Sequence, residues 1–312
     1  MTSWILPGRE NAPAMRYKAM LQRSFAFSRT VNPRNLEFHW YPLWHQTLSD
    51  LVADVPNLIV APQYPVWFVP QDDEEHEDGS NDQQDNKDDD EDDEDNNNKD
   101  DDDDDDDDDD EGANDDEEDD EDEDDDVGEL AEVSFALTVP EKDAKGVLVD
   151  FAIINVSGQP HEGEESRYGG WRITGANIGL LVEVKRFVRR NLEGEELDDA
   201  LAARISEAHD DVVKQAAYIF LHDPNKDSVL AIAAAGLWWC TTKINRDDVK
   251  AMMHRFAEKD PTYQDDDDDE IGFVELEWSS LLRLDVAGSS DRLRTIYNNL
   301  KEIGVMEIPM DV

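Results

Sequence analysis

Eleven consecutive aspartates, Asp100 to Asp110, limit what the rest of this chain can build. A run of like charges without apolar residues cannot bury surface, and its members repel one another. It therefore predicts an extended, disordered stretch. The run sits inside a wider acidic segment, 71–127, where about 40 Asp and Glu stand against two bases, Lys87 and Lys99. The full chain of 312 residues carries 80 acidic and 28 basic side chains, a net charge of −52. Outside the segment about 40 acids and about 26 bases remain, a net charge near −14, which is an ordinary globular surface. The shorter acidic run Asp265 to Glu270 supplies part of that remainder.

About 255 residues lie outside the acidic segment, enough for one large domain. Strand patterns flank the segment on both sides. "NLIVAP" (57–62) and "YPVWFVP" (64–70) precede it, and the alternating "LAEVSFALTV" (130–139) follows it. An insertion at a loop tip accounts for this better than a linker between domains. The expected organisation is an N-terminal extension over 1–34, a single domain assembled from 35–70 and 128–312, and a disordered insertion over 71–127. The one cysteine, Cys240, excludes an intrachain disulfide and a cysteine-based zinc site, and fits a reducing compartment. The N-terminus lacks a charged start followed by an apolar stretch, so no secretory leader is expected. The longest apolar run, 229–240, is too short to cross a bilayer. These features predict an intracellular protein, nuclear or cytoplasmic, with no membrane association.

The hydrophobic pattern predicts an α/β fold. A helix is expected over 43–53, although Pro42 blurs its start. "GVLVDFAIINV" (146–156) and "ANIGLLVEVKRFV" (176–188) read as strands, with 158–175 as a loop or hairpin connection. A long amphipathic helix is expected over 194–223, because Leu197, Leu201, Ile205, Ala208, Val212, Ala216 and Ile219 recur at three- and four-residue steps. A turn and a buried strand follow over 223–240. Further expectations are a helix over 247–259, a strand at "FVELEW" (273–278), and a terminal helix over 289–303 capped by Ser290 or Asp291. The central strands are apolar nearly throughout, as in a sheet covered on both faces.

One strand breaks that rule. "GLLVEVKR" (179–186) places Glu183 and Lys185 where a core strand favours Val or Ile. Residues two apart in a strand share a face, so these two side chains project together, roughly 6–7 Å apart at Cα. One strand earlier, Asp150 interrupts "VLVDFAII" in the same way. A buried carboxylate is costly unless paired, hydrogen-bonded or bound to metal, and two close together call for a cation between them. Asp150 and Glu183 are hard oxygen ligands suited to Mg²⁺ or Mn²⁺. Lys185 is placed to orient or deprotonate a water and to offset phosphate charge.

Asp150 followed by Glu183-Val184-Lys185 on the next strand resembles the PD-(D/E)XK nuclease superfamily. Val149 stands where that pattern often has Pro. The resemblance covers 133–235 and is similar in overall look to eukaryotic-type members. It implies a restriction-endonuclease-like three-layer core, with a mixed central sheet flanked by helices. It implies a Mg²⁺- or Mn²⁺-dependent nuclease that hydrolyses phosphodiester bonds in nucleic acid. Asp150 and Glu183 hold the metal, Lys185 assists the attacking water and Gln215 steadies the site. Gln215 and Tyr218 stand three apart on the predicted helix, one residue tighter than the family's Gln/Tyr spacing. Members also carry an acid on an early helix, for which Glu37 is the candidate.

Each element has a plainer reading. Glu183 and Lys185 form a cross-strand salt bridge in one, and Gln215 is a helix-surface glutamine. Arg186, Arg189 and Arg190 suit backbone phosphates or a solvated helix start. His39 and His45 are spaced as core histidines rather than as a metal pair, and Trp238 and Trp239 as packing residues. The acidic segment reads as a spacer, as an arm that imitates a phosphate backbone, or as a binder of basic proteins such as histones. The alternative function is therefore a catalytically inactive interaction protein that binds basic partners through 71–127.

Overall fold

The computed structural model describes residues 4–69, 144–160, 171–257 and 276–304, all within one compact unit. The acidic segment and the strand expected over 130–139 lie outside the described residues. The apolar runs form a six-stranded mixed sheet: β1 (Leu58–Phe68), β2 (Lys145–Pro160), β3 (Trp171–Lys185), β4 (Ser228–Ala235), β5 (Trp238–Asn245) and β6 (Leu282–Arg283). Spatial order follows chain order. Every adjacent pair is antiparallel except β3 and β4, which run parallel. A parallel pair needs a long crossover, and the expected amphipathic helix supplies it.

The helices are α1 (Pro13–Phe27), α2 (Tyr41–Leu51), α3 (Gly194–His222), α4 (Lys250–Ala257) and α5 (Ala287–Gly304). Pro13 and Pro42 sit in the first turns of α1 and α2, where a missing N–H costs nothing. The stripe Leu201, Ile205, Ala208, Val212, Ala216 and Ile219 is buried along α3. One core cluster joins Trp40, Trp44, Leu48 and Leu51 from around α2 to Leu293, Ile296 and Leu300 of α5 through Phe151, Leu180, Val182 and Val184 of the sheet. A second joins Val212, Ala216 and Ile219 of α3 to Leu181, Val229 and Ala231. Helices therefore flank the sheet, as the sequence pattern requires.

Strand alternation breaks at one rung, and the break positions the site. Leu58 and Val60 of β1 pack with the α2 cluster, whereas Tyr64, Val66 and Phe68, of the same parity, pack with the α3 cluster. The change falls at Gln63, whose φ is +48. On β2, Phe151 and Ile153 pack with the first cluster, but Val147 and Val149 pack with the second. Extending the β1–β2 register sets Gln63 opposite Asp150, between the pairs Pro62↔Phe151 and Tyr64↔Val149. Pro62 and Pro65 are tolerated because β1 is the sheet edge.

Several elements differ from the sequence pattern. The segments 57–62 and 64–70 form one strand, because Gln63 redirects the backbone without ending its pairing. Of the two readings of 158–175, a loop or a hairpin connection, the described ends take the second: ladder pairing extends through Pro160↔Trp171. That outer ribbon leaves Trp171 and Ile173 39% and 58% exposed, so no core face imprints an apolar alternation on it. The apolar run over 229–240 is a hairpin. Gly236 has φ +60 and Leu237 has no positive φ, the arrangement of a tight turn with glycine in first position. Residues 276–278 of the expected strand "FVELEW" carry no regular pairing, although Ser279 N–H donates to Thr241 O at 3.0 Å. The helix over 247–259 begins as a 3₁₀ turn, Arg246–Val249, ahead of α4. The N-terminal segment, read without elements, contains α1, which buries only Ala26. Helix α5 starts at Ala287, before the expected caps.

The Gly236 turn is tied to the end of β3 and to α2. Its N–H donates to Lys185 O at 2.9 Å, and its carbonyl accepts the Trp44 indole N–H at 2.8 Å. A Cβ at Gly236 would meet Phe187 Cβ at 2.8 Å. Gly236→Ala should therefore destabilise the fold by about 1–3 kcal/mol, from left-handed strain and the clash together. Urea denaturation followed by Trp fluorescence reads this directly; an unchanged midpoint would contradict the packing described.

Candidate active site

The β2–β3 ladder ends at the pair Phe151↔Val182. One further rung would set Asp150 opposite Glu183. There the strands part, and the Val184 N–H donates to Asp150 Oδ2 at 2.8 Å instead of to a backbone carbonyl. Asp150 and Glu183 are both buried, 7% and 6% exposed. Lys185 closes the strand on the same side as Glu183, as two-residue periodicity demands.

Other elements converge on this strand end. From α3, Gln215 donates to Glu183 Oε2 at 2.8 Å and to Leu148 O at 3.2 Å. Asp211, one turn earlier on the same helix face, accepts from Lys185 Nζ at 2.5 Å. Lys185 Nζ also donates to Glu183 Oε1 at 2.9 Å. From α2, the Tyr41 hydroxyl donates to Asp150 Oδ1 at 2.5 Å and lies 3.2 Å from Glu37 Oε1. From β1, Gln63 Nε2 donates to Asp150 Oδ1 at 3.2 Å. Glu37 sits on a 3₁₀ turn just before α2, and its Oε2 accepts the Arg186 N–H at 3.3 Å.

Four carboxyls, Glu37, Asp150, Glu183 and Asp211, thus share a strand end with one ammonium. Burial pushes Asp150 well above the usual carboxylate range, and the charges of Glu183 and Glu37 add to the shift. Burial raises Glu183 to about 7 against the opposing pull of Lys185 and Gln215. Burial also raises Glu37. Burial works to lower Lys185, but Glu183 and Asp211 outweigh it and hold the ammonium raised. Lys185 is therefore a charged donor at neutral pH. In the metal-free chain this favours orientation of a water and charge compensation.

The donor set has the chemistry a hard divalent cation takes. All its ligand atoms are oxygens, and the carboxyls exceed the cations. Gln215 Oε1 is buried without a hydrogen-bond partner, while the amide nitrogen is fixed by its two acceptors. Among the described residues no group of three or more His, Cys, Asp or Glu is placed to hold a metal. Mg²⁺ does not require one, since it keeps several waters and is held by one or two carboxylates.

The expected residues fare differently. Asp150, Glu183, Lys185 and Gln215 come together, and Glu37 joins them. Arg189 is exposed. Arg190 donates through Nη2 to Asn32 O at 2.6 Å and to Ala26 O at 3.4 Å, so its guanidinium fastens the N-terminal segment. Arg186 contacts the cluster through its backbone N–H. His39 is buried against Phe25 and Phe38, and His45 lies against Phe151. Trp239 is fully buried, its indole N–H donating to Ser289 Oγ at 3.0 Å. The sequence reading missed Asp211, Tyr41 and Gln63. The four-residue spacings of Asp211 from Gln215 and of Tyr41 from Glu37 were available signals.

Comparison with protein-family models, curated proteins and solved structures returned no match. Among the described residues no helix is long and apolar enough to cross a membrane.

The raised Glu183 has a consequence for stability. Between its ordinary value near 4.5 and about 7, the folded chain holds a proton there that the unfolded chain has released. Stability of the metal-free protein should therefore fall as pH rises through that window. Thermal melts in EDTA across pH 4.5–7.5 should show this decline, and Glu183→Gln should flatten it. An identical slope in the variant would contradict the assignment.

Proposed function

We propose that this protein is a divalent-metal-dependent nuclease of the PD-(D/E)XK type, built on a restriction-endonuclease-like core. The observation that carries the reading is the convergence of Asp150, Glu183, Lys185 and Gln215, from two strands and the crossover helix, at one buried strand end with excess negative charge. Asp150 and Glu183 are the residues that would hold Mg²⁺ or Mn²⁺, with Gln215 Oε1 beside them as a further oxygen. A bound ion supplies Lewis-acid stabilisation of charge on the phosphate. Lys185, kept charged by Glu183 and Asp211, donates to the attacking water or to a phosphate oxygen. Gln215 fixes the Glu183 carboxylate, while Tyr41 and Gln63 fix Asp150. Asp211 holds the Lys185 ammonium from outside the strand.

The test is cleavage of end-labelled DNA and RNA oligonucleotides by the full chain in Mg²⁺, in Mn²⁺ and in EDTA. Metal-dependent products are expected, and Asp150→Asn or Glu183→Gln should lower the rate by about 10²–10³-fold. Absence of products, or products unaffected by both substitutions, would overturn the reading.

One observation favours a second reading. Every carboxylate oxygen of Asp150 and Glu183 already has a donor within the chain. A network so closed also suits an inactive scaffold that binds basic proteins such as histones through 71–127. Under that reading, deleting 71–127 abolishes histone binding and no metal-dependent cleavage occurs.

A further inference from the structure

The first 34 residues run against the charge of the rest of the chain. They carry six Arg and Lys against one acid, Glu10, in a protein of net charge −52. The end of this segment and the residues that follow it run toward the carboxyl cluster. The Asn35 amide donates to Phe187 O, Arg190 Nη2 donates to Asn32 O at 2.6 Å, and the Arg186 N–H reaches Glu37. Residues 25–39 therefore run along 186–190. Arg29, Arg34 and Arg189 are exposed there. Burial lowers the Arg190 pKa, and the charge of Arg29 lowers it further. Like charges gathered this way are relieved by a polyanion.

Aromatic rings are exposed on the same stretch of chain. Phe25 and Phe38 are 40% and 58% exposed. They flank the buried ring of His39, with centroids 5.2 and 4.3 Å from it. Packing supports the rings from within and leaves their outer surfaces open. Phe38 follows Glu37 directly, so this aromatic edge borders the cluster. An apolar face alone would suit a protein or a lipid surface. Arginines interleaved with exposed rings suit a strand whose bases are free to stack, and a duplex keeps its base faces hidden.

We propose that single-stranded nucleic acid binds across Phe25, Phe38, Arg29, Arg34 and Arg189. Its bases stack on the two rings and its phosphates meet the arginines. That this path delivers a strand to the carboxyl cluster rests on the nuclease reading; the binding itself does not.

The experiment is fluorescence anisotropy with labelled oligothymidylate, oligouridylate and a duplex of equal length, using the full chain in EDTA so that no metal-dependent cleavage intervenes. Phe38→Ala should weaken single-strand binding about tenfold, and Phe25→Ala similarly. The double variant Arg29→Ser, Arg189→Ser should reduce the salt dependence of log K by about 0.7 per arginine removed. Thermal melts should match the wild type, because the substituted groups are exposed. Wild-type affinity in Phe38→Ala overturns the proposal, as does equal binding of the duplex or no oligonucleotide binding at all. The two readings fail separately. Metal-dependent cleavage without dependence on Phe38 keeps the nuclease and sinks this surface. Phe38-dependent binding without cleavage keeps the surface and sinks the nuclease.

Discussion

Burying Asp150 is costly, and much of the nearby architecture serves to achieve it. A carboxylate taken out of water needs donors for both oxygens. Asp150 finds them on three separate elements: Tyr41 at the start of α2, Gln63 on β1 and the Val184 N–H on β3. The last of these is diverted from the backbone ladder, so the carboxylate holds apart the two strands it lies between. The left-handed Gln63 completes the arrangement. It turns β1 over at the rung where Asp150 interrupts β2, so both strands exchange one core cluster for the other together. A non-glycine residue in that conformation carries a strain cost of about 1–3 kcal/mol, and it persists because its neighbours over-determine it.

Charge balance at the strand end follows from the same geometry. Burial raises the carboxyls of Asp150, Glu183 and Glu37, and Lys185 alone does not offset the acids gathered around it. Lys185 shows the converse, with its ammonium held more firmly than in water. This assigns the chemistry by environment rather than by residue type. In the metal-free chain a lysine held this way is a donor and a counter-charge.

The part of the site legible in the sequence is the part encoded by strand periodicity. Glu183 and Lys185 stood out because the two-residue repeat puts both on one face of an otherwise apolar strand, and Asp150 stood out for the same reason. Gln215 was legible only through the resemblance, since helical periodicity by itself reads it as a surface glutamine. Asp211 was hidden by an acidic neighbour, since a second Asp on a charged helix gives no contrast. Tyr41 and Gln63 reach Asp150 across 109 and 87 residues of chain, a juxtaposition that no local pattern records. The fold shows the same division. The crossover helix α3 declared itself by its 3.6-residue stripe. The β4–β5 hairpin did not, because its turn, Gly236-Leu237, lies inside a continuous apolar run with no polar residue to mark the reversal.

Net charge, the most conspicuous property of the sequence, is the least informative about the site. At physiological ionic strength fields fall off over about 8 Å, so the sign a ligand meets is set by the side chains it touches. The surface formed by 25–39 and 186–190 is basic within a strongly acidic chain, and the strand end beside it is acidic and buried. A basic, ring-bearing stretch bordering an oxygen-rich cluster matches the two ends of one problem. The first, in the binding proposed for it, meets a polyanion through charge and ring stacking; the second gathers oxygens around a place where positive charge is short. Their adjacency follows from Glu37, Phe38 and His39 lying in one short turn, so the segment that carries the exposed ring also carries the outermost carboxyl of the cluster.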